Sequence, residues 1–448
     1  MTPLKIAVVG SGISGLSAAW LLSQRHNVTL LEADNRLGGH SHTVDCNVDG
    51  ASVPVDTGFI VYNRPTYPNL SALFDYLNVP TAASDMGFAV SLAEGRTEYS
   101  GNGALRMLGS LRNLADPGHW RMLRDIVRFF RTAASHARGL GDHVTLGQFV
   151  ADQGYSQDFV DRHLLPSAGA IWSSPPRQML DYPARAFLTF FDNHGLLKFV
   201  DRPQWRTVVG GSREYVQRLL ADGPMRALTG CRVTSIERLK DAVTLNAKNG
   251  FHETFDHVVV AAHADQALAM LDDPAPDERR YLQAFRYTRN RAVLHRDETF
   301  MPRRRWLWSS WNYLSDAGAD TSACTISYWM NALQPLPAST NFFVTLNPHR
   351  EPADGTIERD LSYDHPVFTP ETARAQRQLW SLQGRRRTWF CGAHFGAGFH
   401  EDGLQAGLAV AEQLGSVKRP WILANPSNRI HVSPRPPLSK PVLVEAAE

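Results

Sequence analysis

The chain opens on a regular alternation of apolar runs and glycine turns. Lys5 to Val9 is apolar after its first residue and leads into Gly10-Ser11-Gly12-Ile13-Ser14-Gly15. Leu16-Ser17-Ala18-Ala19-Trp20-Leu21-Leu22 follows, small and apolar at helical spacing. A second apolar run, Val28 to Leu31, ends on Glu32. Strand, glycine turn, helix, strand, acid is the pattern of a dinucleotide site. The first glycine permits the tight turn, the second a close approach of backbone to pyrophosphate, and the third close helix–strand packing. The helix N-terminus offers free N–H groups to phosphate. Glu32, followed by Ala33, is placed to accept hydrogen bonds from a ribose diol, and an acid there argues against a 2′-phosphate.

Further on the pattern changes. Paired glycines in Arg36-Leu37-Gly38-Gly39-His40 let the backbone pass close to something bulky. Ser52 to Asp56 reads as a strand, and a helix is expected from Asn63 through Leu77. Met86 to Leu92 and Arg96 to Tyr99 alternate as strands do. Gly118 to Leu140 has helical periodicity, with Arg121, Arg124, Arg128, Arg131 and Arg138 on its polar side. That side reads as a solvated face or as a surface for an anionic membrane. Leu164 to Leu197, rich in Phe, Trp and Pro, suits the wall of an apolar pocket or an ordinary core. Gly210-Gly211-Ser212 precedes a helix and then a strand with Val233 and Ile236. Phe255 to Ala262 has the continuous apolar character of a buried parallel strand. Residues 285 to 346 read as a second sheet, with Arg303-Arg304-Arg305 beside Trp306, Trp308 and Trp311. Thr388 to Gly392 is a strand running into glycine, and a helix is expected over Leu408 to Leu414, capped by Asp402 or Gly403.

Composition narrows the classes. The 448 residues carry a net charge of +2, which gives no global case for nucleic acid. Four scattered cysteines (Cys46, Cys231, Cys324, Cys391) form no CxxC pair, which argues against a disulfide scaffold and a structural zinc site and suits a reducing cytoplasm. The first strand lies too near Met1 for a signal peptide, and no apolar run is long enough to span a bilayer. A cytoplasmic location follows as an expectation, with peripheral contact at the inner face of the membrane as its extension. His40, His42, His394 and His400 match no common zinc spacing, so no metal is expected.

Glu32, Arg36-x-Gly38-Gly39 with Thr43, Asp56-x-Gly58, Gly210-Gly211-Ser212, Val233-x-x-Ile236 and the 398–407 block together resemble the flavin amine oxidase superfamily. That superfamily includes monoamine oxidases, phytoene-type desaturases and protoporphyrinogen oxidase. The resemblance implies FAD, held by Gly10, Ser11, Gly12, Ile13, Ser14, Gly15, Glu32 and Ala33 at its ADP end. It further implies Arg36, Gly38, Gly39 and His40 along the pyrophosphate, Thr57, Gly58 and Phe59 near the flavin ring, and Val233 at the adenine. Gly392, Leu404, Gln405 and Ala406 would lie at the pyrimidine edge. His40 stands where the family usually has Arg, and Phe59 where many members have a small residue. The family's flavin-reaching lysine falls near Asn290–Arg291, and no lysine occurs between Lys248 and Lys418. Arg291 is carried as a catalytic candidate in that region. Phe399 takes the place of a family tyrosine, and His400 and Glu401 are candidates for acid–base work.

The implied fold is α/β with α+β character: a Rossmann-type (GR2-like) FAD-binding domain from 1–80, 205–265 and 380–417, and a discontinuous substrate domain of mixed sheet and helices from 81–204 and 266–379. Residues 418–448 form a Pro-rich extension. No second GxGxxG in a strand–turn–helix setting signals an NAD(P)H domain, so the organic substrate is expected to reduce the flavin, with oxygen or another acceptor reoxidising it. Arg202-Pro203-Gln204-Trp205 and Gly398 to Gly403 also resemble bacterial predicted NAD/FAD-binding proteins associated with cyclopropane-type fatty-acid methyltransferases. That implies an unsaturated or modified fatty-acyl substrate and hydride removal giving a C=C bond. A double-bond isomerase, an amine oxidase giving an imine, and a non-catalytic flavoprotein remain as alternatives.

Overall fold

How closely two backbones can approach sets the architecture at the N-terminal strand. The computed structural model describes residues 2–141, 143–172, 175–198, 201–315 and 325–433. Cys324, Ser173 and Ser174 of the aromatic stretch, 316–324 of the expected second sheet, and the tail beyond residue 433 lie outside them. Strand β1 (Lys5–Val9) turns at Gly10 into helix α1 (Ile13–Ser23), and β2 (Asn27–Leu31) returns beside β1. Gly10 has φ +99°, a conformation that favours glycine. Adding β3 (Arg226–Leu228), β4 (His257–Val260) and β5 (Thr388–Phe390) gives a five-stranded sheet in the order β3-β2-β1-β4-β5. Every pairing in it is parallel.

All eleven residues of α1 are buried. A helix apolar and small on every side can be covered on every side. Its second cover is α2 (His400–Gly415), from the far end of the chain. A Cβ on Gly15 would lie 1.9 Å from the Gly10 carbonyl oxygen, and one on Gly407 would lie 2.2 Å from the Ser14 carbonyl oxygen. Glycine at both positions is therefore a packing requirement of β1, α1 and α2. Helix α2 starts at His400 rather than Leu408, because the Asp402 carboxylate accepts the Phe399 N–H at 2.8 Å and so closes its first turn.

The second sheet has seven strands, in the order Ile357–Val367, Arg286–His295, Phe343–Leu346, Thr325–Trp329, Trp311–Ser315, Phe88–Leu92, Thr97–Ser100. It is antiparallel except where Trp311–Ser315 runs parallel to Phe88–Leu92. Trp205–Val208 pairs with Val61–Asn63 and Thr81–Ser84. The helix expected from Asn63 begins at Pro68, because Asn63 ends a strand and its carboxamide oxygen accepts the Thr66 N–H at 3.0 Å. The long arginine helix spans Pro117–Gly139, capped by Asp116 on the Gly118 N–H at 2.8 Å. Residues beyond α2 pass back over it: Trp421 stacks on Trp20 with ring centroids 6.0 Å apart, and Arg419 binds Glu412 and Asn69.

Gly407→Val is expected to lower unfolding free energy by about 2 kcal/mol or more, since neither backbone can retreat. Urea titration of the purified variant checks it, and an unchanged midpoint would contradict the packing account.

Candidate active site

A cavity of about 670 Å³ is lined at one end by Glu32 and Val233 and at the other by Trp172, Phe190 and Tyr328. Between them it touches Gly10, Ser11, Gly12, Ile13, Ser14, Ala33, Gly39, His40, Thr57, Gly58, Phe59, Gly392, Phe399 and His400.

At the first end the glycine turn is pinned to the acid. Glu32 Oε2 accepts the Ser11 N–H at 2.8 Å and the Ser11 hydroxyl at 2.5 Å, and Oε1 accepts the Asp34 N–H at 2.9 Å. A Cβ on Gly10 would meet the Ala261 carbonyl oxygen at 2.8 Å, whereas one on Gly12 meets nothing within 4 Å. Packing within the protein thus explains Gly10 and Gly15 but not Gly12. The open space at Gly12, at the N-terminus of α1, fits a pyrophosphate. Gly39 closes on it, its Cβ position 2.9 Å from the Gly12 Cα. These residues fit the ADP portion of FAD.

The middle of the cavity is held from the far side of the chain. Asp56 is buried, and its Oδ1 accepts the Thr43 hydroxyl at 2.6 Å, the Ser212 N–H at 2.9 Å and the Ser212 hydroxyl at 2.8 Å. This ties the Asp56-x-Gly58 segment to the Gly211-Ser212 turn. Burial pushes the Asp56 carboxyl up to about 6. A Cβ on Gly58 would lie 2.1 Å from the His40 carbonyl oxygen, so this glycine is needed for close approach. Phe59 stacks on His400 with centroids 3.7 Å apart, which gives the bulky residue at 59 a packing partner. His400 Nε2 lies 3.0 Å from both the Ser41 and Tyr215 hydroxyls. Tyr363 bonds Thr57 at 2.7 Å and His42 at 3.0 Å.

Burial keeps the imidazoles here neutral. It pushes His400 and His394 down to about 3 and His365 to about 4. His40 is lowered by burial and by the neighbouring His365. Among the described residues, His40 Nε2 and His394 Nε2 are buried without a hydrogen-bond partner. No group of three or more His, Cys, Asp or Glu there could hold a metal ion.

Several expected site residues lie elsewhere. Arg291 is partly exposed and bonds Glu351 at 2.6 Å and Asp360 at 2.7 Å, so two surface carboxylates hold it outside the cavity. Glu401 is buried off the cavity. Its Oε1 accepts from Asn69 and Gln405, and its Oε2 from the Leu70 N–H at 3.0 Å. That saturated carboxylate anchors α2 and is not poised for proton transfer. Leu404, Gln405 and Ala406 are buried against neighbouring elements, and Gly398, Phe399 and His400 line the cavity at this end of α2. Gly15 and Gly38 pack behind the lining, and Arg36 straps the loop through the Gly39 carbonyl oxygen at 2.8 Å. Phe399 stacks on Phe190 with centroids 4.5 Å apart. Sequence reasoning missed Tyr363 and His365. The signal was their i, i+2 spacing on one face of the Ile357–Val367 strand.

The family model described as flavin containing amine oxidoreductase matches residues 13–330. L-amino-acid oxidase of Mus musculus is 57% identical over 42 residues, which are 9% of this chain and 7% of that protein. The Notechis scutatus scutatus L-amino-acid oxidase is 49% identical over 49 residues, 11% of this chain and 10% of that protein. The matched segment is a tenth or less of these curated relatives. Among solved structures, cyclohexylamine oxidase from Brevibacterium oxydans aligns with TM-score 0.69 and 16% identity, covering 92% of this chain and 100% of that one. A CLA-producing fatty acid isomerase from P. acnes aligns with TM-score 0.65 and 16% identity, covering 92% and 98%.

Gly12→Val is expected to leave the apoprotein folded and to abolish FAD retention, since only the ligand's space is filled; purified yellow protein would refute this. Glu32→Ala should weaken FAD by about 1–3 kcal/mol, read by isothermal titration. The neutral histidines also set an acid limit. The unfolded chain protonates its histidines near 6.5, whereas folded His394 and His400 protonate only near 3. Below pH 6.5 the unfolded state therefore binds protons that the folded state refuses, each such histidine removing up to about 1.4 kcal/mol per pH unit. Asp56 opposes this between about 6 and 3.8, and burial raises Glu401 and Asp402 too, but these three acids face a larger set of histidines lowered by burial, His40, His42, His163, His194, His295 and His365 among them. Stability should be full above pH 6.5 and fall steadily toward pH 4; a flat profile of urea midpoints would contradict it.

Proposed function

The chain belongs to the flavin-containing amine oxidoreductase family, and we propose that this FAD-dependent oxidoreductase acts on an unsaturated fatty-acyl chain. The reaction would move a hydride from one carbon to the bound flavin and a proton from the neighbouring carbon to a group on the lining, for which the neutral His400 imidazole and the Asp364 carboxylate are the candidates, leaving a C=C bond. When bound, FAD supplies the hydride acceptor.

One observation carries the reading. The far end of the cavity is walled by Met86, Ile171, Trp172, Phe190, Trp205, Trp311, Tyr328 and Phe399. Apolar and aromatic surface of this kind repays burial of hydrocarbon and offers an ammonium group no ionised partner. The nearby imidazoles are held neutral, and Asp364, on the lining, pairs with Arg289 at 3.4 Å. The chain's residues orient the acyl carbons and exclude water, and Phe59 and His400 give the reacting end a flat wall. A solved structure of the same fold described as a fatty acid isomerase supports the acyl class, and one described as cyclohexylamine oxidase marks the rival.

The same lining favours a second reading. Desaturation needs an acceptor for its proton, and the lining offers a weakly basic imidazole at His400 and, at Asp364, a carboxylate already paired with Arg289. An isomerase that returns the hydride to a different carbon of the same acyl chain needs no such acceptor.

Anaerobic mixing with linoleic acid separates these outcomes. Lasting loss of the flavin band near roughly 450 nm with a new double bond supports oxidation. A shifted double bond with the band retained supports isomerisation. Bleaching by cyclohexylamine, with neither response to the acid, would overturn the acyl reading.

A further inference from the structure

A surface patch remote in sequence from the cavity motifs has no role in the chemistry above. The short helices Ala104–Leu108 and Leu111–Leu114 meet at an elbow of Gly109 and Ser110, and the long helix Pro117–Gly139 follows. Leu105 is 74% exposed, Leu111 85%, Trp120 48% and Leu114 39%. Single exposed leucines are ordinary; four large apolar side chains on one short stretch are not.

The backbone beneath them is fixed. Gly109 has φ +70°, and a Cβ there would meet the Glu98 carbonyl oxygen at 2.0 Å. Asn113 Nδ2 donates to that same carbonyl oxygen at 2.9 Å, and His119 Nε2 lies 3.1 Å from the Met107 carbonyl oxygen. Trp120 Nε1 donates to the Leu114 carbonyl oxygen at 2.9 Å. The leucines are held outward by a built elbow.

The charge on this stretch has one sign. Residues 104–131 contain six arginines (106, 112, 121, 124, 128, 131) and two acids, Asp116 and Asp125, with no Lys or Glu, so the balance is 6 − 2 = +4. Both acids are engaged, Asp116 with Arg162 at 2.6 Å and Asp125 with the Ser156 N–H at 2.8 Å. Arg121 pairs with Asp158 and Arg128 lies over Tyr155, so part of the long helix's arginine face is satisfied within the protein. Arg106 and Arg112, interleaved with the exposed leucines, have no acidic partner among the described residues.

We propose that this elbow binds the surface of an anionic phospholipid bilayer, with Leu105, Leu111 and Trp120 entering the acyl boundary and Arg106 and Arg112 meeting phosphates. Apolar side chains projecting between arginines match an interface that is oily inside and negative at its rim. A second copy of the chain would bring like charge against like. The proposal is independent of the substrate reading.

The FAD-loaded, full-length protein is sedimented with vesicles of phosphatidylcholine containing phosphatidylglycerol and, separately, of phosphatidylcholine alone. Binding to the anionic vesicles is expected, weakening as salt rises. Leu105→Asp with Leu111→Asp should reduce it about tenfold or more, and Arg106→Gln with Arg112→Gln should reduce it on anionic vesicles. Circular dichroism and the flavin spectrum report that each variant is folded. Absence of binding to anionic vesicles, or equal binding by the leucine variant, overturns the proposal. So does a dimer that the leucine variant dissolves, because the face would then belong to a second copy.

Discussion

The contact on which the site depends is the approach of α1 to its neighbours at near backbone distance. Gly15 seats the helix on the Gly10 turn, and Gly407 seats α2 on Ser14. With those two contacts made, the N-terminus of α1 and the first turn of α2 face one cavity. Any side chain at either glycine would separate the phosphate end from the Phe399–His400 end. Burial adds the favourable free energy, since α1 has no solvated side to lose.

Around this contact the polar groups are saturated in a graded way. Glu401 has its oxygens engaged by Asn69, Leu70 and Gln405, and Asp56 by Thr43 and Ser212. Asp56 fixes a turn, and Glu401 fixes α2 to the helix Pro68–Tyr76. Toward the aromatic end the polar groups are mainly hydroxyls and neutral imidazoles, and Asp364 is paired with Arg289. A weakly polar surface beside a redox cofactor limits side reactions with water.

The ADP end was legible because its residues are local: Gly10 to Glu32 forms one strand–turn–helix–strand unit, and each type has a physical reason at its place. Arg291 and Glu401 show where that legibility stops. Sequence supplied residues of suitable chemistry at suitable positions, but the direction of each side chain depended on partners far away, Glu351 and Asp360 for one and Asn69 for the other. Residues 404–406 are buried in helix packing, and Gly398, Phe399 and His400, about one turn earlier, line the cavity. Tyr363 and His365 carried a weak local signal, and only pairing with Arg286–His295 gives it meaning.

The bond between Ser41 and His400 joins residues 359 positions apart. Synthesis delivers the N-terminal unit first, and it must wait for nearly the whole chain before α2 can cover it. Until then α1 has an uncovered apolar side and the cofactor has half a cradle. Such long-range closure is slow compared with local folding. Cofactor capture is thereby coupled to completion of the polypeptide, and a chain truncated before α2 would keep only the glycine-turn half of its cradle.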